Sequence, residues 1–148
     1  DDSDFEIEVK FDSVPAQKYQ MQGVIFEQDS VNWVRFDFHH DGSSPKIFAT
    51  STINGLPRAH INTAIPEAAF FYMRVKRTGN QWTQSFSSNG TSWVTAGSFT
   101  QAIAVRSVGP FAGNQSDSGN IPAYTAMVDY FFNMSSPIAP DDGGSVPQ

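Results

Sequence analysis

Apolar and polar residues alternate one by one along much of this chain, and a period of two is the mark of extended strands with one face buried. Phe5, Ile7, Val9 and Phe11 are interleaved with Glu6, Glu8 and Lys10. Val34, Phe36 and Phe38 alternate with Trp33, Arg35, Asp37 and His39, and Phe71, Met73 and Val75 with Tyr72, Arg74 and Lys76. Between such runs lie Asp41-Gly42, Asn54-Gly55 and Asn89-Gly90, which accept the positive φ angles of tight hairpin turns; Thr78-Gly79-Asn80 reads as a fourth turn. The pattern places strands near 4–12, 19–28, 32–40, 45–52, 57–63, 70–77, 81–88, 92–99, 103–109 and 122–133. No window carries a helical stripe. Many short strands punctuated by turns describe an all-β chain, a sandwich or a barrel.

The 148 residues suit one domain able to bury its own core. Charged residues make up 16%, well below the roughly 25% usual for soluble proteins. The net charge of −6 disfavours nucleic acid, whose phosphates call for clustered Lys and Arg. No apolar run approaches the roughly 20 residues of a membrane-spanning helix, so membrane insertion is not expected. There is no cysteine, which excludes thiol catalysis and Cys-ligated metals. Residues 137–148, PIAPDDGGSVPQ, are rich in Pro, Gly and Asp without periodicity and read as a linker. The expected division is therefore a module over 1–136 followed by a linker over 137–148 in a longer, multidomain protein.

Catalytic signatures are scarce. Glycosidases work with two carboxylates flanking the scissile bond. Here Glu6 and Glu8 lie on one strand with Lys10 beside them, and a solvated strand face explains all three. There is no G-x-S-x-G elbow and no phosphate-cradling glycine loop. Within Asp37, His39, His40 and Asp41 only Asp37 and His39 share a strand face, whereas zinc requires three or four ligands. A structural calcium is the one ion the composition leaves room for, with Asp2, Asp4, Asp29, Asp117 and Asp129 as oxygen donors that sequence alone does not bring together. Catalysis is not expected, no cofactor is called for, and the metal question stays open.

One strand face does offer binding chemistry. Alternation puts Trp33, Arg35, Asp37 and His39 on one side of their strand while Val34, Phe36 and Phe38 fill the core. Sugars are held by aromatic faces that stack on C–H surfaces and by planar polar groups that bond hydroxyls. This face has both. Gln22, with Gln20, joins it if strands 19–28 and 32–40 form a hairpin about Asp29-Ser30, and His60 joins it from a later strand face shared with Arg58 and Asn62. The carbohydrate-binding candidates are therefore Trp33, Arg35, Asp37, His39, Gln22 and His60. The competing reading has Trp33 under a loop, with Arg35 and Asp37 pairing across the pleat. Trp82 and Trp93 flank the Asn89-Gly90 turn and are expected to be mostly buried.

Three runs carry a resemblance: DFEIEVKF, QGVIFEQDSVNWVRFDF and FYMRVKRTGNQWTQSFSSNGTSWVTAGSF. They resemble concanavalin A-like, laminin-G-like jelly-roll modules over most of residues 4–134. The nearest likeness is to an uncharacterised bacterial family attached to secreted glycoside hydrolases and surface proteins; the C-terminal sandwich modules of bacterial β-xylosidases are also similar. The most specific stretch contains Arg77, Gly79, Trp82, Ser87, Asn89, Gly90 and Trp93, which marks the fold and not an activity. The resemblance implies two face-to-face antiparallel sheets, an extracellular setting, and a lectin-like accessory role beside a polysaccharide-degrading enzyme. It also implies one or two further strands before residue 4, so the module is expected to be incomplete at its N-terminal side. The partners implied are a polysaccharide or oligosaccharide and neighbouring domains of the same chain. The alternative function is a structural or adhesive spacer packed on a neighbouring domain.

Overall fold

A computed structural model of the chain describes residues 3–115, 119 and 121–135. Ten strands form in chain order: β1 (Phe5–Phe11), β2 (Met21–Asp29), β3 (Asn32–His40), β4 (Pro45–Ile53), β5 (Leu56–Ala64), β6 (Phe71–Thr78), β7 (Gln81–Ser87), β8 (Val94–Thr100), β9 (Ser107–Gly113) and β10 (Val128–Asn133). They make two five-stranded antiparallel sheets, ordered β10-β1-β6-β7-β8 and β5-β4-β3-β2-β9. The chain is an all-β, two-sheet sandwich of jelly-roll type.

The inner faces are the ones alternation marks. Ile7, Val9 and Phe11 of β1, Val34, Phe36 and Phe38 of β3, and Phe71, Met73 and Val75 of β6 are all buried. Trp82 is the largest buried side chain; its ring packs 5.1 Å from Phe26 and 5.7 Å from Phe36. Its one polar atom is satisfied, since Nε1 donates to the Gln101 carbonyl at 2.9 Å. Asn54 and Gly55 both take positive φ, 52° and 79°, so the β4–β5 hairpin closes through the tight turn their identities announce.

Two strands begin four or more residues later than the sequence suggests. The ninth runs over 107–113 and not 103–109, because upstream of Ser107 its partner β2 has reached the turn built on Asp29. Ile103 is nonetheless buried, so its apolar signal is genuine although no ladder forms there. The tenth starts at Val128 and not at 122. Asp2, Asp117 and the expected linker over 137–148 lie outside the described residues.

Among the described residues the sandwich closes on one side only. At the β5–β8 seam the His60 ring stacks on Phe99 at 3.9 Å, and Ile61 packs directly against Gly97. On the opposite side, β9 and β10 are the outermost strands of their sheets. Between them opens a cleft of about 380 Å³, lined by Phe5, Ile7, Phe26, Val108 and Phe131 with Arg106 and Asn133 among its polar groups.

Candidate functional site

Four of the six candidate residues come together. Trp33, Arg35, Asp37 and His39 occupy the outer face of β3, in register with Glu27, Ile25, Gly23 and Met21 of β2 and with Thr52, Thr50, Phe48 and Lys46 of β4. The β9 residue level with Asp37 is Phe111, paired across Gly23. Arg35 therefore stands among three rings: its guanidinium carbon is 6.0 Å from the Trp33 ring centre, 5.7 Å from Phe48 and 5.8 Å from Phe111. Such cation–π distances lie within the range that orients an arginine side chain. Phe48 and Phe111 are members that the β3 pattern alone could not supply, because they arrive from neighbouring strands through the ladder register.

Below the guanidinium lies Asp37, its side chain only 1% exposed. Arg35 Nε sits 3.0 Å from Asp37 Oδ2, yet the approach is too oblique for a hydrogen bond, so the contact is an ion pair that leaves both atoms unbonded. His39 Nδ1 is 3.3 Å from Asp37 Oδ1, and the imidazole meets the Phe48 ring edge-on at 5.4 Å. If Nδ1 carries the proton toward the carboxylate, Nε2 is left as an acceptor. No other hydrogen bond or ion pair ties the guanidinium among the described residues, and the Arg35 side chain keeps 26% of its exposure. Arg35 and Asp37 thus do pair across the pleat, as the competing reading holds, but Asp37 engages only Nε; the other donors stay at the aromatic rim.

Gly23 explains how Asp37 comes to be sealed in. A Cβ added there would lie 2.0 Å from the Phe36 carbonyl oxygen and 2.7 Å from the Asp37 Cα. Only glycine lets β2 approach β3 this closely beneath the carboxylate.

Gln22 and His60 are not on this face. Gln22 neighbours Gly23 along β2 and so points the other way. It is fully buried, accepting from the Ser13 hydroxyl at 2.6 Å and from Tyr124 Oη, and donating to the Ser13 carbonyl at 2.8 Å. It pins the loop after β1 and the segment before β10 to the core. His60 is displaced by a bulge: the β4–β5 register shifts between Ala49 and Thr50, so Arg58 and His60 fall on the inner side while Asn62 stays opposite Phe48. His60 stacks on Phe99, and its Nε2 lies 2.8 Å from Ser51 Oγ. Burial, then the neighbouring Arg58 charge, lowers its pKa from 6.5.

The outer face of the other sheet departs most from expectation. Glu8 is 1% exposed instead of solvated: Oε1 accepts from Arg74 Nε at 2.7 Å and Oε2 from the Tyr130 hydroxyl at 2.7 Å. Burial, reinforced by the Glu8 carboxylate, pushes the Tyr130 phenol far above its usual range. The Arg74 guanidinium carbon sits 3.9 Å from the centre of the Trp93 ring, and Trp93 is half-buried rather than in the core. Among the described residues no three His, Asp or Glu side chains are placed to hold a metal ion.

No protein-family model matches the chain, and no curated protein sequence matches it. Solved structures do. The GH43 protein BlXynB from Bacillus licheniformis superposes with a TM-score of 0.73 at 19% identity, over 90% of this chain and 28% of its own. A xylan β-1,4-xylosidase from Bacillus halodurans gives 0.67 at 17% identity, over 88% of this chain and 27% of its own. The carbohydrate-binding module CBM66 from Bacillus subtilis gives 0.51 at 12% identity, over 74% of this chain and 65% of its own. The likeness establishes the fold. This chain spans little more than a quarter of the length of the glycoside hydrolase chains it matches.

Proposed function

We propose that this sandwich is a non-catalytic carbohydrate-binding module, the accessory part of a secreted polysaccharide-degrading enzyme, and that it binds on the outer face of β5-β4-β3-β2-β9. The observation carrying the reading is Arg35, ringed by Trp33, Phe48 and Phe111 and ion-paired to Asp37 through Nε alone. Aromatic rings supply contact area at low entropic cost, and the guanidinium and imidazole supply direction for hydroxyl groups. The local charges nearly cancel, which suits an uncharged glycan better than an anionic one. The fold's occurrence inside glycoside hydrolases and in a carbohydrate-binding module agrees with this role without assigning a ligand. Catalysis is left without an obvious acid–base pair, since Glu8 is sealed by Arg74 and Tyr130.

The test is affinity electrophoresis and calorimetry against xylan, mixed-linkage glucan and galactan, with Trp33→Ala alongside the wild type. Truncating a well-placed aromatic anchor removes about 1–3 kcal/mol, so the Kd should rise roughly 5- to 150-fold. The melting temperature should hold, because Trp33 faces outward and fills no core cavity. Binding to none of the glycans, or a destabilised Trp33→Ala that binds normally, overturns the proposal in favour of a spacer domain.

A further inference from the structure

We propose a second glycan platform on the opposite side of the sandwich, the outer face of β10-β1-β6-β7-β8, centred on Tyr72 and Trp93. It rests on the reading above, that the module binds uncharged carbohydrate, and makes the module two-sided. Four aromatic rings meet there in one connected patch. Tyr72 lies 5.8 Å from Phe70, 6.3 Å from Trp93 and 6.4 Å from Tyr130, centre to centre. None of the four is fully buried, and Phe70 is 36% exposed. A connected, partly exposed aromatic patch offers a surface on which a ligand can stack.

The patch is rigid before any ligand arrives. Tyr130 is held by its hydroxyl on Glu8, Trp93 by the Arg74 guanidinium over its ring, and the ring of Tyr72 is flanked by Lys10 at 5.8 Å and by Gly90 of the β7–β8 turn. Little side-chain entropy remains to be lost on binding. The Asn89-Gly90 turn sets the position of Trp93: Asn89 Oδ1 accepts from the Thr91 and Ser92 amides at 2.9 and 2.8 Å, directing the chain back over Tyr72.

Electrostatics choose the occupant. Each charge on the outer face of β1 meets its opposite: Glu6 is in register with Lys76, Glu8 is bonded to Arg74, and Lys10 bonds Asp129 at 2.7 Å. With the charges cancelled, the face offers no complement to a nucleic acid, an anionic lipid or a charged protein surface. Further along the same face, level with Lys76, it offers small hydroxyls in the Thr83–Ser98 pair at 2.9 Å. Aromatic planes, hydroxyls and no net field fit a neutral polysaccharide chain.

The experiment titrates xylohexaose and cellohexaose into the 148-residue protein, with the parent polysaccharides in parallel. The variants are Trp33→Ala, Trp93→Ala, Phe70→Ala and the Trp33/Trp93 double. Because Trp93 supports Arg74, Phe70→Ala serves as the second probe should Trp93→Ala fold poorly. The expected stoichiometry is about two oligosaccharides per protein, falling to about one in each single Trp variant, and the double variant loses binding. Phe70→Ala should weaken one class of site roughly tenfold. The wild type should cross-link and precipitate soluble polysaccharide, and the single Trp variants should not. If Trp33→Ala alone abolishes binding while Trp93→Ala and Phe70→Ala bind as the wild type, the second platform is refuted and the first face stands. If binding survives Trp33→Ala and is lost in Trp93→Ala and in Phe70→Ala, this platform stands and the first face fails. A wild type that binds no glycan overturns both.

Discussion

Replacing Glu8 by Gln asks how firmly one desolvated carboxylate holds the outer face of the first sheet. Glutamine keeps the size and one acceptor oxygen but turns the other arm into a donor, which must then face either Arg74 Nε or the Tyr130 hydroxyl. Hydrogen bonds to a charged group contribute about 1.5–3 kcal/mol each, and breaking a buried pair costs about 3–5 kcal/mol. The Arg74 side chain keeps 18% of its exposure, so water recovers part of its solvation and a loss of about 2–4 kcal/mol is the better expectation. For a domain of 148 residues, each kcal/mol moves the melting temperature by about 2–4 °C. Scanning calorimetry should therefore show Glu8→Gln melting roughly 4–16 °C below the wild type. Tyr130→Phe removes one bond and leaves the guanidinium in place, so it should lose only about 1.5 kcal/mol, or roughly 3–6 °C. A Glu8→Gln variant melting within about 2 °C of the wild type would refute the reasoning. So would a Tyr130→Phe variant hurt more than Glu8→Gln.

Gly23→Ala should destabilise the protein by about 3 kcal/mol or more in urea unfolding, because the new methyl meets immovable backbone of β3; unchanged stability would mean that β2 and β3 can part without cost. His60 titrates below 6.5 in the folded protein. The unfolded chain therefore takes up a proton first as pH falls, and stability declines from about pH 6.5 downward. Melting curves between about pH 7 and 5 should fall more steeply for the wild type than for His60→Gln, and parallel curves would contradict the assigned environment. EDTA should leave the melting temperature unchanged, since no carboxylate cluster supports the described fold; chelation that unfolds the protein would reveal an ion its apolar core cannot replace.

Strand positions were legible because alternation reports burial directly, and Phe36 and Phe38 are buried where the pattern puts them. So was the sharing of one face by Trp33, Arg35, Asp37 and His39, which needs only the pleat. What lay beyond the sequence were relations between strands. Phe48 and Phe111 reach Arg35 through ladder register, and no local pattern states which residue of β9 lies level with Asp37. His60 was misjudged because a bulge between Ala49 and Thr50 reverses the faces of β5, and a single extra residue leaves no mark in composition. Glu8 was misread because polar residues on an alternating strand normally face water. Its burial comes from Arg74 and Tyr130, 66 and 122 residues away. Pro110 sits within β9, an outermost strand, where its missing N–H is tolerated.

The one-sided seam gives the molecule a mechanical asymmetry. With His60 on Phe99 and Ile61 on Gly97 along one margin, and a cleft along the other, the two sheets are joined like the covers of a book. Thermal separation of the sheets is then a rotation about the spine, largest at β9 and β10, and their amides should exchange with solvent before those of β4 and β7. Each of the two faces proposed to bind glycan lies on one cover. Tension from an insoluble polymer would therefore reach the covers first and load the spine as a hinge, with the aromatic core around Trp82 resisting the pull.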